Sequence, residues 1–102
     1  MIDLDDYVPE STIMNFYQSK DHMGGHLDDG EPDQEHPIFS YNMGLSGVFL
    51  IGGPTRETRP RAVRLDSGDL FIMSGPSRHC FHGVPRIIKD SFISKEASLV
   101  IQ

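Results

Sequence analysis

The sequence predicts an all-β fold, a sandwich or barrel of short strands. Three observations carry this reading. Short β-branched and aromatic runs recur along the chain, Gly and Pro turns separate them, and no stretch repeats its apolar residues at helical spacing. With 102 residues the chain makes one small domain. Strands of this kind bury an apolar face only by stacking into two sheets or closing into a barrel.

Taken in order, residues 1–10 read as a lead-in, with Asp3, Asp5 and Asp6 ahead of Pro9, and the domain is expected over 11–102. Thr12 to Tyr17 is β-branched and aromatic and reads as a strand. Gly24, Gly25 and Gly30 disfavour a helix between residues 18 and 36. Pro37 to Met43 alternates, with Ile38, Ser40 and Asn42 on one face and Phe39, Tyr41 and Met43 on the other. A turn at Gly44 to Gly47 leads into the apolar run Val48 to Ile51. Thr55 to Arg59 reads as a hairpin tip and Ala62 to Leu65 as the return strand. Asp66 to Asp69 is a turn, Leu70 to Met73 a buried strand, and Ser74 to Ser77 a loop. Arg78 to Val84 reads as extended, Arg86 to Ile93 as a further strand, and Leu99 to Ile101 as the last.

Composition narrows the function classes. Hydrophobic residues at 37% and charged residues at 24% exclude a disordered chain. The single Cys80 excludes an internal disulfide. With no secretory signal pattern, an intracellular setting is expected, leaving nucleus, mitochondrion and cytoplasm open. The longest apolar stretch, residues 47–53, is far too short to span a bilayer, so no membrane partner is expected. Charge is unevenly placed: residues 1–36 hold ten Asp/Glu against one Lys, and residues 37–102 hold five against eight Lys/Arg. One reading is an acidic surface tail. The sharper one has carboxylates around a cation in the first part and an anionic partner for the second.

His26 and Asp28 stand two positions apart, so on an extended segment they face the same side and can share an ion. A third ligand must come from elsewhere in the chain. His22, His36, His79 and His82 are the candidates. His22 needs a helix that Gly24 and Gly25 discourage, and His36 abuts Pro37 in an acidic loop. His79 and His82 are three apart and face opposite sides of a strand. His82 is preferred, because Gly83 beside it lets another backbone come close. Two imidazoles and one carboxylate leave coordination positions open, as in the facial triad of non-haem Fe(II) oxygenases. The plain alternative is an acidic loop with an incidental histidine.

The order "NFY" at Asn15–Tyr17, "HLDDGEPD" from His26, "HPIFSYNMG", "GVFLIGG" and "SGDLFIMSGPSRHCFHGVPRI" resembles the AlkB-type dioxygenases over roughly residues 11–87, most of all their eukaryotic homologue-one branch. The resemblance implies a double-stranded β-helix, a jelly-roll of cupin-like form. It implies Fe(II) held by His26, Asp28 and His82, and 2-oxoglutarate contacted by Asn15 and Tyr17 with Ser40 lining its pocket. It further implies oxidative demethylation of N-methylated nucleobases in DNA or RNA, the methyl leaving as formaldehyde. The family pattern also carries a final strand with R-x-N-x-T-x-R, whose first arginine clamps the far carboxylate of 2-oxoglutarate. After Arg86 this sequence has only Lys89 and Lys95, and Gly30 stands where the family often has an acidic residue. The expectation is therefore a core excerpt, incomplete at the C-terminus and without the N-terminal lid that reads the substrate. Its exposed sheet edges would favour self-association.

Arg56, Arg59, Arg61 and Arg64 cluster on the hairpin with only Glu57 opposing them. Arg56 and Arg59, with Arg78 ahead of the His82 strand, are the expected contacts to a phosphate backbone; the alternative is a solvated hairpin. Three functions compete. The first is an Fe(II)/2-oxoglutarate dioxygenase core acting on methylated nucleic acid. The second is a catalytically inactive fragment of one, binding metal at most. The third is a cupin-like metal protein, which explains H-x-D and the later His but not Asn15, Tyr17 and Ser77-Arg78.

Overall fold

The computed structural model describes residues 5–91 and 98–101. Among them the backbone forms β1 (Met23–His26), β2 (Ile38–Tyr41), β3 (Gly47–Ile51), β4 (Arg61–Leu65), β5 (Asp69–Met73), β6 (His82–Ile87) and β7 (Ser98–Ile101). A single 3-10 turn, Gly75–His79, is the one helical element in these residues. Two sheets result, in the orders β1-β6-β3-β4 and β2-β5-β7. Every pair is antiparallel except β5 with β7. This is the all-β fold that the turn spacing predicts, consistent with the jelly-roll core that the resemblance implies.

Alternation builds the interface between the sheets. Gly47, Phe49 and Ile51 are buried along β3, whereas Val48 and Leu50 are half-exposed. From the other sheet, β5 contributes Phe71 and Met73. The rings of Phe49 and Phe71 meet at 4.4 Å and join the two sheets. Leu65 and Ile51 complete the buried cluster, with Ile38, Val63, Cys80 and Val84 packed against it. The Asp66–Asp69 turn forms as read: the Asp66 backbone N–H donates to the Asp69 carboxylate at 2.7 Å, and Gly68 takes a φ of 93° that few side chains tolerate. Ser46, fully buried, ties this turn to the chain's later part. Its hydroxyl donates to Asp66 Oδ1 at 2.5 Å, and its N–H donates to Ser91 Oγ at 2.8 Å.

Three sequence-based expectations are corrected. Residues 12–17 form no strand; Ile13 and Phe16 are exposed and no ladder partner holds them, so β propensity there has nothing to pack against. Arg78 is not extended. It lies in the 3-10 turn, whose start is fixed by Ser77 Oγ accepting from the Ser74 N–H at 2.9 Å and donating back to the Ser74 carbonyl at 2.8 Å. The strand expected over Arg86–Ile93 begins earlier and ends at Ile87, where Asp90 turns the chain with φ 56° and the Ser91 hydroxyl caps the Ile88 carbonyl. Residues 92 and 93 lie outside the described residues.

Strand β6 is central yet contains Pro85, which cannot donate to a ladder. The β3–β6 register slips between Val48 and Leu50, so Val84 and Pro85 stand opposite Phe49 alone. The bulge absorbs the missing N–H. A second irregularity lies on the other side of β6: Met23 pairs with Val84 and His26 with His82, leaving Gly24 and Gly25 opposite Gly83.

Candidate metal centre

His26 ends β1 and His82 opens β6, and the two are direct cross-strand partners. Their rings lie 4.4 Å apart, centroid to centroid. The approach requires Gly83. A Cβ there would stand 2.9 Å from the Met23 carbonyl oxygen and 3.2 Å from Gly24 backbone atoms. Asp28 follows just past the strand end. Its carboxylate oxygens reach both imidazoles, Oδ1 at 3.4 Å from His26 Nε2 and Oδ2 at 3.1 Å from His82 Nε2.

The tautomers follow from the second ring nitrogens. His26 Nδ1 faces the Gly24 carbonyl at 3.0 Å, and His82 Nδ1 faces the Cys80 carbonyl at 3.1 Å. A carbonyl only accepts, so each Nδ1 donates to it, which leaves each Nε2 as the nitrogen available to an ion. One ligand atom from each of the three residues lies within 4.8 Å of the others. Donors about 2.1 Å from one ion and at right angles to each other stand about 3 Å apart, close to the two His–Asp spacings of 3.1 and 3.4 Å. Two imidazoles held by backbone carbonyls and one carboxylate fit a divalent transition metal such as Fe(II).

Burial grades the site. His82 is 6% exposed and stacks on Phe49 at 5.7 Å, which closes the inner wall. His26 is half-exposed, so the outer side is open. Arg56 reaches in from the hairpin tip. Its guanidinium sits 4.5 Å over the Phe81 ring and donates to the Gly25 carbonyl at 3.2 Å, bracing β1 beside His26.

The remaining candidates fall as follows. His22, His36 and His79 are exposed and outside the cluster. His36 pairs with Asp33 instead, and backbone N–H groups of Glu35 and His36, then the His36 ring, hold the Asp33 carboxyl below its ordinary range. Asn15 and Tyr17 line one open hollow with Met23 at the start of β1. The Tyr17 hydroxyl lies 3.8 Å from Met23 Sδ, and burial pushes its phenol above the ordinary value. Ser40 is on β2 in the other sheet, opposite Phe71. Arg59 is exposed on the hairpin.

Arg78 is the exception to its expected place. It is 3% exposed and spends its donors on the loop after Asp28, so it is not a free phosphate contact. Reasoning from sequence missed this, and it missed the carbonyl supports at Gly24 and Cys80. A charged residue in a polar stretch carries no periodic signal of burial.

The 2OG-Fe(II) oxygenase superfamily model matches residues 2–99. The chain is 45% identical over 87 residues to a DNA N(6)-methyladenine demethylase of Arabidopsis thaliana, covering 85% of this chain and 25% of that protein. It is 46% identical over 82 residues to a tRNA demethylase of Schizosaccharomyces pombe, covering 80% and 27%. It is 42% identical over 83 residues to an alpha-ketoglutarate-dependent dioxygenase AlkB homologue of Caulobacter vibrioides, covering 81% and 38%. The chain thus spans a quarter to two fifths of the length of these relatives. Among the described residues no helix is long and apolar enough to cross a membrane. The family match, the two-sheet fold and the His-Asp-His cluster agree, and this chain belongs to the 2OG-Fe(II) oxygenase superfamily, on its AlkB-type branch.

Proposed function

We propose that the chain is the iron-binding core of an Fe(II)/2-oxoglutarate-dependent dioxygenase that demethylates N-methylated bases in DNA or RNA. The carrying observation is the cross-strand pair His26–His82 with Asp28 between its Nε2 atoms. These three residues would hold Fe(II), which when bound supplies dioxygen activation coupled to oxidative decarboxylation of 2-oxoglutarate. The protein's own share is orientation and exclusion of water. Backbone carbonyls fix both imidazoles, Phe49 keeps the inner side dry, and the open side beyond His26 admits ligands. Asn15 and the Tyr17 hydroxyl offer donors for a carboxylate of the cosubstrate; Ser40, on β2 of the other sheet and outside that hollow, is proposed as a pocket residue on the family resemblance alone. Burial favours the protonated, donating form of Tyr17. The relatives' names as DNA and tRNA demethylases support the substrate class.

The test is calorimetry with Mn²⁺, an oxygen-stable stand-in for Fe(II). Wild type should bind one ion, and His82→Ala should lose it while His36→Ala keeps it. Equal losses in the two variants would refute the ligand set. For the nucleic-acid partner, Arg59→Ala is the cleaner probe, because Arg56 also braces β1. Removing a phosphate contact should lower the slope of log K against log salt by about 1. An unmoved slope would leave the hairpin as a solvated face.

A further inference from the structure

We propose that Arg78 is a positioning residue that sets the orientation of the metal-binding Asp28 by stapling the loop behind it; this rests on the metal-site reading above. Arg78 is almost wholly buried, yet nothing in the sequence around it is apolar enough to demand burial. Its guanidinium instead meets one continuous stretch of backbone. Nη1 donates to the Asp28 carbonyl at 2.5 Å, Nη2 to the Asp33 carbonyl at 3.3 Å, and Nε to the His36 carbonyl at 3.2 Å. Glu31 lies 3.4 Å from Nη2 and balances the charge.

The geometry points to Asp28 in particular. Asp28 is past the end of β1, so no ladder partner fixes its backbone. The shortest of the guanidinium contacts falls on its carbonyl. Its carboxylate must face two Nε2 atoms at once, which a rotation of the backbone by a few tens of degrees would prevent. A planar fork with donors in fixed directions can hold three carbonyls together; an ammonium on a flexible stem cannot. The 3-10 turn that carries Arg78 ends directly before Cys80, whose carbonyl orients His82. Two ligands of the triad therefore take their setting from one short segment. Arg78 touches no reacting atom, so its effect passes through Asp28.

The experiment compares wild type, Arg78→Lys and Glu31→Gln by Mn²⁺ calorimetry, the visible spectrum of the Co²⁺-loaded protein, and urea midpoints. Supporting groups behind metal ligands are worth ten- to a hundredfold in affinity. Arg78→Lys should bind Mn²⁺ ten- to a hundredfold more weakly and show an altered Co²⁺ spectrum. Glu31→Gln, which leaves the carbonyl contacts in place, should stay within about threefold of wild type, a small fraction of that support. Wild-type affinity and spectrum in a folded Arg78→Lys protein would overturn the proposal. So would a tenfold loss in Glu31→Gln, which decides the matter even where the lysine variant fails to fold. A wild type that binds no Mn²⁺ would instead overturn the metal-site reading itself.

Discussion

Asp28 carries the one formal negative charge among the three clustered residues, and it touches both imidazoles. Asp28→Ala should therefore abolish measurable Mn²⁺ binding, whereas His22→Ala should leave the titration curve unchanged, since His22 lies outside the cluster. Tyr17 makes a second prediction at this scale. Burial raises its phenol pKa above the unfolded value of about 10. A group raised in this way stabilises the fold fully below the unfolded pKa and loses that contribution as pH rises through the folded one. Urea midpoints of wild type should fall more steeply than those of Tyr17→Phe above about pH 10; parallel curves would contradict the burial of this hydroxyl. The clustering of His26, Asp28 and His82 was legible in the sequence, because H-x-D spacing and a glycine after the distant histidine are local marks of a shared face and a close approach, and the family resemblance singles out these three. Arg78 was not, because its burial is decided by a loop fifty residues upstream that wraps it.

At the scale of elements, the pairing of β1 with β6 assembles the site, and Gly83 permits it. Gly83→Ala puts a methyl group 2.9 Å from the Met23 carbonyl, so β1 must move away. Forcing an extra carbon into such a contact costs about 1–3 kcal/mol. The urea midpoint should fall accordingly, and Mn²⁺ affinity should fall with it because His26 travels with β1. A variant with lowered stability but intact affinity would show that the pairing does not set the ligand distance. The strands from β2 to β5 were readable from alternation and turn residues. What was not readable is which strand accepts an irregularity. The bulges opposite Phe49 and at Gly24–Gly25 depend on a partner distant in sequence, and the run at residues 12–17 reads as a strand only until it is asked for a neighbour.

For the whole molecule, the contact of Phe49 with Phe71 is the joint between the sheets, and Phe49 also backs His82. Phe71→Ala should cost about 3–5 kcal/mol, a large part of the roughly 5–15 kcal/mol that keeps a domain folded. Equilibrium denaturation measures it directly. Bound metal works in the other direction: an ion at 100 times its dissociation constant adds about 2.7 kcal/mol, so Mn²⁺ should raise the melting temperature and a chelator should reverse the shift. The cross-strand pairing of His26 with His82 has one more consequence, and it concerns time. More than fifty residues separate the two in the chain. At a synthesis rate of about 5–20 residues per second, His82 leaves the ribosome roughly 3–11 s after His26. Until then the site has one carboxylate and one imidazole and no cage. Strands β2 to β5 are already made by that moment, so the site is completed only after them, and metal capture cannot begin the assembly of this fold.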